Sequence, residues 1–351
     1  MMLASMNSGL RHRRLPIPQL TIILLFCLSA AFASARDKKP APVAPKAGPL
    51  ATPLRITWLY IQPNTGSQKV AQVQIGREMV ILEKSGPWFN VEANTDVQEE
   101  QNDQDTPEMG DDNSTPQTLT GWMEAKGIVQ NSTPDGDRIL MGAAANEEAL
   151  ASTPSGPANA AQSARLLYTR LFEMFPNSTL APEARWRAAD IAWQVQKADT
   201  ASLPSSKARQ PYLHQQINEG ALKKVIKLYP HTRWAALAAF DLIGNKLCGD
   251  WEGSTKCPEN ETELYEKYAG EYPDGPRTAR ALYEAAYRQA VLTDMYKANG
   301  DQGKADKAHE HCRTLADQLK QHFAGSDYAL RAQMLVFKLD QSIQVFGIDQ
   351  G

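Results

Sequence analysis

The residues that could do chemistry in this chain are a few cysteines, histidines, acids and aromatic rings, and each set narrows the function. Cys248 and Cys257 bracket the stretch Gly249–Lys256. A pair this close in sequence forms a disulfide readily in an oxidising compartment, contributing a little under ~3 kcal/mol by loop closure. Zinc is the competing reading, but two thiols without neighbouring histidines fall short of a ligand set. Cys312 closes the run His309-Glu310-His311-Cys312, where His309 and Cys312 share a helix face at i, i+3. A buried free thiol beside two solvated histidines is preferred over a metal site there. Asp103-Gln104-Asp105 and Asp111-Asp112-Asn113 carry calcium-type oxygens without the EF-hand spacing, its glycine or its closing glutamate. No Gly-x-Ser-x-Gly, His-Glu-x-x-His or phosphate loop occurs. The expectation is a chain without catalytic, cofactor-binding or metal-ligating residues, and not an enzyme. The candidates left for ligand contact are Tyr60, Trp88, Trp122, Arg185, Arg233 and Tyr283. Each competes with a structural role: at least one of the first three rings is expected to hold a core, and Trp186 and Trp234 to pack on the preceding helix.

Elements must position these residues, and a repeated punctuation shows where the helices stop. Phe175-Pro176-Asn177-Ser178, Tyr229-Pro230-His231-Thr232 and Tyr272-Pro273-Asp274-Gly275 recur, with a worn copy at Phe323-Ala324-Gly325-Ser326. Proline cannot continue a helix, and Ser178, Thr232, Asp274 and Ser326 are types that cap the next one. An interval of roughly 40 to 55 residues is the signature of stacked helical hairpins. Helices are expected at 161–175, 181–197, 214–229, 233–247, 261–272, 277–298, 304–323 and 328–345. A concave face between such pairs holds other proteins, and Arg185, Arg233 and Tyr283 would lie on it.

Residues 52–130 read as strands: Leu54–Tyr60 and Trp88–Val91 alternate, Glu78–Leu82 is a short apolar run, and Gly121-Trp122-Met123 is a last strand. Lys69-Val70-Ala71, Gly76, the run Val80–Val91 through Gly86-Pro87-Trp88-Phe89 and Gly121-Trp122-Met123 resemble the bacterial SH3 domain, a small barrel common in cell-envelope proteins. Tyr60–Gly66 replaces that family's usual groove loop, so no ligand carries over. Residues 92–119 form an acidic insertion from Glu92 to Asp112 without lysine, arginine or an aromatic ring. Such a run is expected to be a solvated hairpin tip.

In the helical part, 161–346, the aromatic-Pro-x-Ser mark followed by Ala181-Pro182-Glu183-Ala184 is similar to the tetratricopeptide-like repeats of periplasmic envelope-assembly and cell-division proteins. The resemblance implies a helical solenoid that binds a protein partner, so the expected fold is multidomain: an all-β SH3-like barrel followed by an all-α repeat array. Stretches 36–51, rich in Pro and Ala, and 131–160, rich in Ser, Pro, Gly and Ala, read as linkers, the second with room for a short helix at 143–150.

Compartment comes from the N-terminus. Arg11-His12-Arg13-Arg14 precedes the apolar run Leu20–Leu28, which closes on Ala33-Ser34-Ala35. This is the pattern of a Sec-type signal peptide spanning 1–35, cleaved after Ala35 and leaving a periplasmic or secreted protein with no transmembrane segment. A formal net charge of −3 gives no basic field for nucleic acid. The expected function is a non-enzymatic adaptor or scaffold of the bacterial cell envelope. Its helices would hold an envelope protein and its barrel peptidoglycan or a peptide; the alternative is an accessory targeting subunit of a cell-wall hydrolase or other envelope enzyme.

Overall fold

The computed structural model describes residues 48–95 and 118–345. The expected signal segment 1–35, residues 36–47, residues 96–117 of the acidic insertion and residues 346–351 lie outside them. Seven short strands come first: β1 (Leu50–Pro53), β2 (Thr57–Tyr60), β3 (Lys69–Val73), β4 (Met79–Ser85), β5 (Trp88–Asn94), β6 (Thr118–Glu124) and β7 (Ile128–Gln130). They form one antiparallel sheet in the order β3-β2-β6-β5-β4-β1-β7. Register shifts at Leu59/Tyr60 and Ile81/Glu83 bend it into a curled half-barrel. Alternation decides its faces: Leu59, Val73, Met79, Ile81, Phe89, Val91 and Met123 fill the inner side.

Two boundaries differ from the sequence reading for the same reason, that small apolar residues pair in register and become core. Leu50 and Ala51, expected in a linker, pair with Val80 and Met79. Glu92–Asn94 and Thr118–Leu119, expected in the insertion, extend β5 and β6 as a ladder, with Ala93 opposite Leu119 and fully buried.

Nine α-helices follow among the described residues: α1 (Gly136–Ala151), α2 (Ala160–Met174), α3 (Ala181–Ala201), α4 (Gly220–Leu228), α5 (Arg233–Asp241), α6 (Lys256–Glu271), α7 (Thr278–Ala298), α8 (Gln302–His322) and α9 (Asp327–Asp340). The four marks behave alike at their first residue. Phe175, Tyr229, Tyr272 and Phe323 each end a helix, and each still donates its N–H to the carbonyl four residues back, at 2.8 to 3.0 Å. Capping is less uniform. Thr232 and Ser326 accept from Ala235 and Ala329 as expected. Ser178 instead turns its hydroxyl to Asp137 of α1, holding that carboxyl below its usual range. Arg277, not Asp274, stands at the start of α7.

Helix α4 begins at Gly220, not His214. Leu203-Pro204 and Gln210-Pro211 break the chain into two 3-10 turns, Pro204–Lys207 and Pro211–Leu213. Helix α5 likewise passes at Leu242 into a 3-10 turn ending at Lys246.

The largest correction concerns residues 131–160. This stretch carries the four-turn helix α1, whose Leu140 and Ala144 are fully buried against α2. That cluster also takes Val129, Leu50, Leu54 and Ile75 from the sheet side. Gly76 lets the two parts meet: at φ +77°, a Cβ there would lie 2.7 Å from Leu166 Cβ. Arg170, buried on α2, reaches Glu78 at 3.1 Å and Glu173 at 2.8 Å. Sheet and helices therefore share a core, and the flexible tether expected between them is absent among the described residues. Further along, α3 to α5 share one apolar cluster and α6 to α9 another. No described helix is long and apolar enough to cross a membrane.

Candidate functional site

The sheet gathers Tyr60, Trp88 and Trp122 on one face. Each is next in sequence to a core residue, Leu59, Phe89 or Met123, so the two-residue period turns all three rings outward. None of the three belongs to the sheet's core, against the expectation that at least one would. Tyr60 sits opposite Trp122 in the β2–β6 ladder and meets Trp88 edge-on at 5.7 Å. The same alternation adds Trp58, which the sequence reading passed over; it is 36% exposed, with Lys69 Nζ 4.6 Å above its ring. Tryptophan two residues before Tyr60 was the available signal. Asn90, opposite Trp122, belongs to this face too, and its Oδ1 is buried without a hydrogen-bond donor. Arg55 reaches Glu124 beside it at 3.3 Å. The assembly can stack flat apolar rings against a ligand.

The helical candidates fall on α3, α5 and α7, each following a punctuation mark. Their burial differs. Arg185 lies 3.9 Å over the Phe172 ring and is half-buried. Arg233 is exposed, 4.7 Å above Trp234. Tyr283 is 5% exposed, set at a tilt against Tyr328 at 5.7 Å and covered by Arg331, so it is core rather than contact. Trp186 and Trp234 stack on each other at 5.3 Å and pack against the α3–α5 cluster. Two carboxyl groups accompany them. Asp241, at the end of α5, is pushed up to about 7 by burial, with Asp190 of α3 adding repulsion; burial also raises Asp190.

Cys248 and Cys257 are joined as a disulfide, with Cα atoms 5.9 Å apart. Glu261 anchors this bridge: one oxygen accepts from the Cys248 N–H at 2.8 Å and the Trp251 indole at 3.2 Å, and the other takes Arg288 Nε at 2.7 Å. Arg288 in turn sits 4.6 Å over Tyr265. Every polar atom of the buried carboxylate thus has a partner, which is how a charge survives there.

Cys312 is a free, fully buried thiol, and burial pushes its pKa up to about 12, which leaves little thiolate to react. The two histidines beside it are not simply solvated. His309 meets Asp340 at 2.9 Å, and His311 meets Glu266 at 2.6 Å, a bond that raises the His311 pKa. No grouping of three metal-ligating side chains occurs among the described residues.

The chain matches no protein-family model and no curated protein.

Proposed function

We propose that this chain is an exported, non-enzymatic adaptor of the bacterial cell envelope. Its helical pairs, read as tetratricopeptide-like repeats, hold a protein partner, and its sheet, read as a bacterial SH3-like module, meets peptidoglycan or a peptide. The observation that carries this reading is the outward face bearing Trp58, Tyr60, Trp88 and Trp122. Rings of this kind stack on sugar faces and on proline or peptide planes. The Cys248–Cys257 bond supports export, since disulfides persist outside reducing compartments. The shared core of sheet and α1–α2 argues that the two contacts act as one rigid body rather than through a tether.

Because of that shared core the test uses the full chain. Purified protein is sedimented with insoluble peptidoglycan and passed over immobilised envelope peptides, beside Trp88→Ala and Trp122→Ala. Retention on one of the two matrices, weakened about tenfold by either change, supports the reading. Equal retention of all three proteins, or none on either matrix, overturns it for the sheet. Release of soluble muropeptides by the purified chain overturns the non-enzymatic part. Envelope crosslinking that recovers only a cell-wall hydrolase would favour an accessory targeting subunit.

A further inference from the structure

A second concavity lies away from the sheet face and owes nothing to the reading above. Past α3 the chain folds back through its two 3-10 turns and encloses a cavity of about 220 Å³ against the end of α3 and the turn that follows α5. That is roughly seven waters' worth at ~30 Å³ each, enough for one ring or one branched side chain. Its floor is apolar: Trp193 and Ile217 are buried, and Ala201 and Leu247 complete it.

The walls are fixed rather than loose. Gly249 N–H donates to the Ala208 carbonyl at 3.1 Å, and Asp250 N–H to that of Lys207 at 3.3 Å. The disulfide holds Cys248, a wall residue, to the start of α6. Asn245 grips Ile217 through both its backbone groups, with Glu219 as a third partner.

The polar lining is largely committed. His214 Nε2 bonds the Ala208 carbonyl at 2.6 Å, and the Thr200 and Ser206 hydroxyls donate to backbone carbonyls. Gln215 adds an exposed amide at the lip. Lys197 is different: it lines the cavity, it is exposed, and it forms no ion pair among the described residues, though its charge reaches Asp241. No carboxylate lines the cavity. An apolar floor beside one ammonium with no carboxylate within the cavity itself selects an anion with an apolar body.

We propose that this cavity binds a carboxylate attached to a single aromatic or branched aliphatic group, the apolar part seated on Trp193 and the carboxylate at Lys197. Such a group comes either from a free small acid or from the C-terminal residue of a polypeptide.

The probes are phenylacetate, its neutral isostere phenylacetamide, and an acetylated tripeptide ending in phenylalanine with a free or amidated terminus. Binding to the oxidised full chain is read by ligand-observed NMR and calorimetry. Phenylacetate should bind at least about tenfold more tightly than phenylacetamide. Lys197→Met, an exposed change, should erase that preference while leaving the melting curve in place. Gly244→Leu should remove binding of both, because a Cβ there makes only ordinary contact with Trp193 at 3.7 Å and the longer chain fills the space. A tripeptide acid that outbinds phenylacetate identifies the polypeptide terminus as the source; a weaker one identifies the small acid. Equal binding of acid and amide, an undiminished preference in Lys197→Met, or no binding at ~10 mM overturns the proposal.

Discussion

On β5 and β6, Trp88 and Trp122 stand beside Phe89 and Met123 in sequence and on the opposite side of the sheet; on α7 and α9, Tyr283 and Tyr328 lie against each other inside the helical stack. Trp88, Trp122, Tyr283 and Tyr328 are all aromatic. The difference is what the next element covers. A sheet with one packed face leaves every second side chain outward, so a ring beside a core residue has nowhere else to go. A helix set between two others has little open face, and α7 buries thirteen of its residues on several sides. An aromatic ring therefore marks an open face on the sheet and packing on the inner helices.

The contrast is tested most strongly by truncation. Tyr283→Ala should cost about 3–5 kcal/mol, as other large-to-small changes in a packed core do, and depress the urea midpoint accordingly. Trp122→Ala should stay within about 1 kcal/mol of the parent chain, while losing the ligand contact of the sheet face. Comparable losses from the two would abolish the distinction between outward and packed rings.

A smaller effect probes the seam between the two regions. Gly76→Ala places a methyl 2.7 Å from Leu166 Cβ and 3.0 Å from the Leu167 nitrogen, at a φ of +77°. The expected cost is about 1–3 kcal/mol. Near-ultraviolet signals from the sheet tryptophans and far-ultraviolet signals from the helices should share one transition in the parent and separate in the variant. Separate transitions already present in the parent would mean that the seam carries little coupling.

The seam also marks where sequence was a poor guide. The helix stops were legible at Phe175, Tyr229 and Tyr272 because proline after an aromatic terminus acts locally, and at Phe323 through the aromatic and Gly325. The β/α division was legible for the same reason, through the alternation around Trp88 and the helical period after Ala181. Of helix α1 only the short stretch 143–150 was legible; its first two turns were not, since Ser, Pro and Gly in 131–142 are linker types locally, and the helix is held in part by α2 through Leu167, outside its own window. Among site residues, Tyr60, Trp88 and Trp122 were found as types but not as a face; Trp58 completes it only once β2 has a register. Tyr283 lies in the core instead of on a contact face, because burial by a neighbouring helix leaves no mark in its own repeat. The cavity beside Lys197 depends on the turn path of residues 202–219, which propensity cannot trace.

The smallest effect compares charges instead of rings. On the sheet side, Glu124 pairs with Arg55 at 3.3 Å with both side chains well exposed, so Glu124→Gln should barely move the melting temperature at any pH. Between α3 and α5, Asp241 is held by burial, and then by Asp190, at a pKa of about 7, while Arg277, Lys197 and Arg280 pull it the other way. The folded chain keeps this proton to higher pH than the unfolded chain does. The stabilisation from the neutral acid is complete below the ordinary carboxylate range and is lost as pH rises toward about 7. Asp241→Asn keeps the shape and removes the charge, so it should leave stability unchanged near pH 4 and raise the melting temperature by about 2–4 °C at pH 8. A rise of equal size at both pH values would assign the effect to packing. A fall at pH 8 would mean that the ionised carboxylate pairs with Arg277 in solution, and the helical side would then manage its charges as the sheet does.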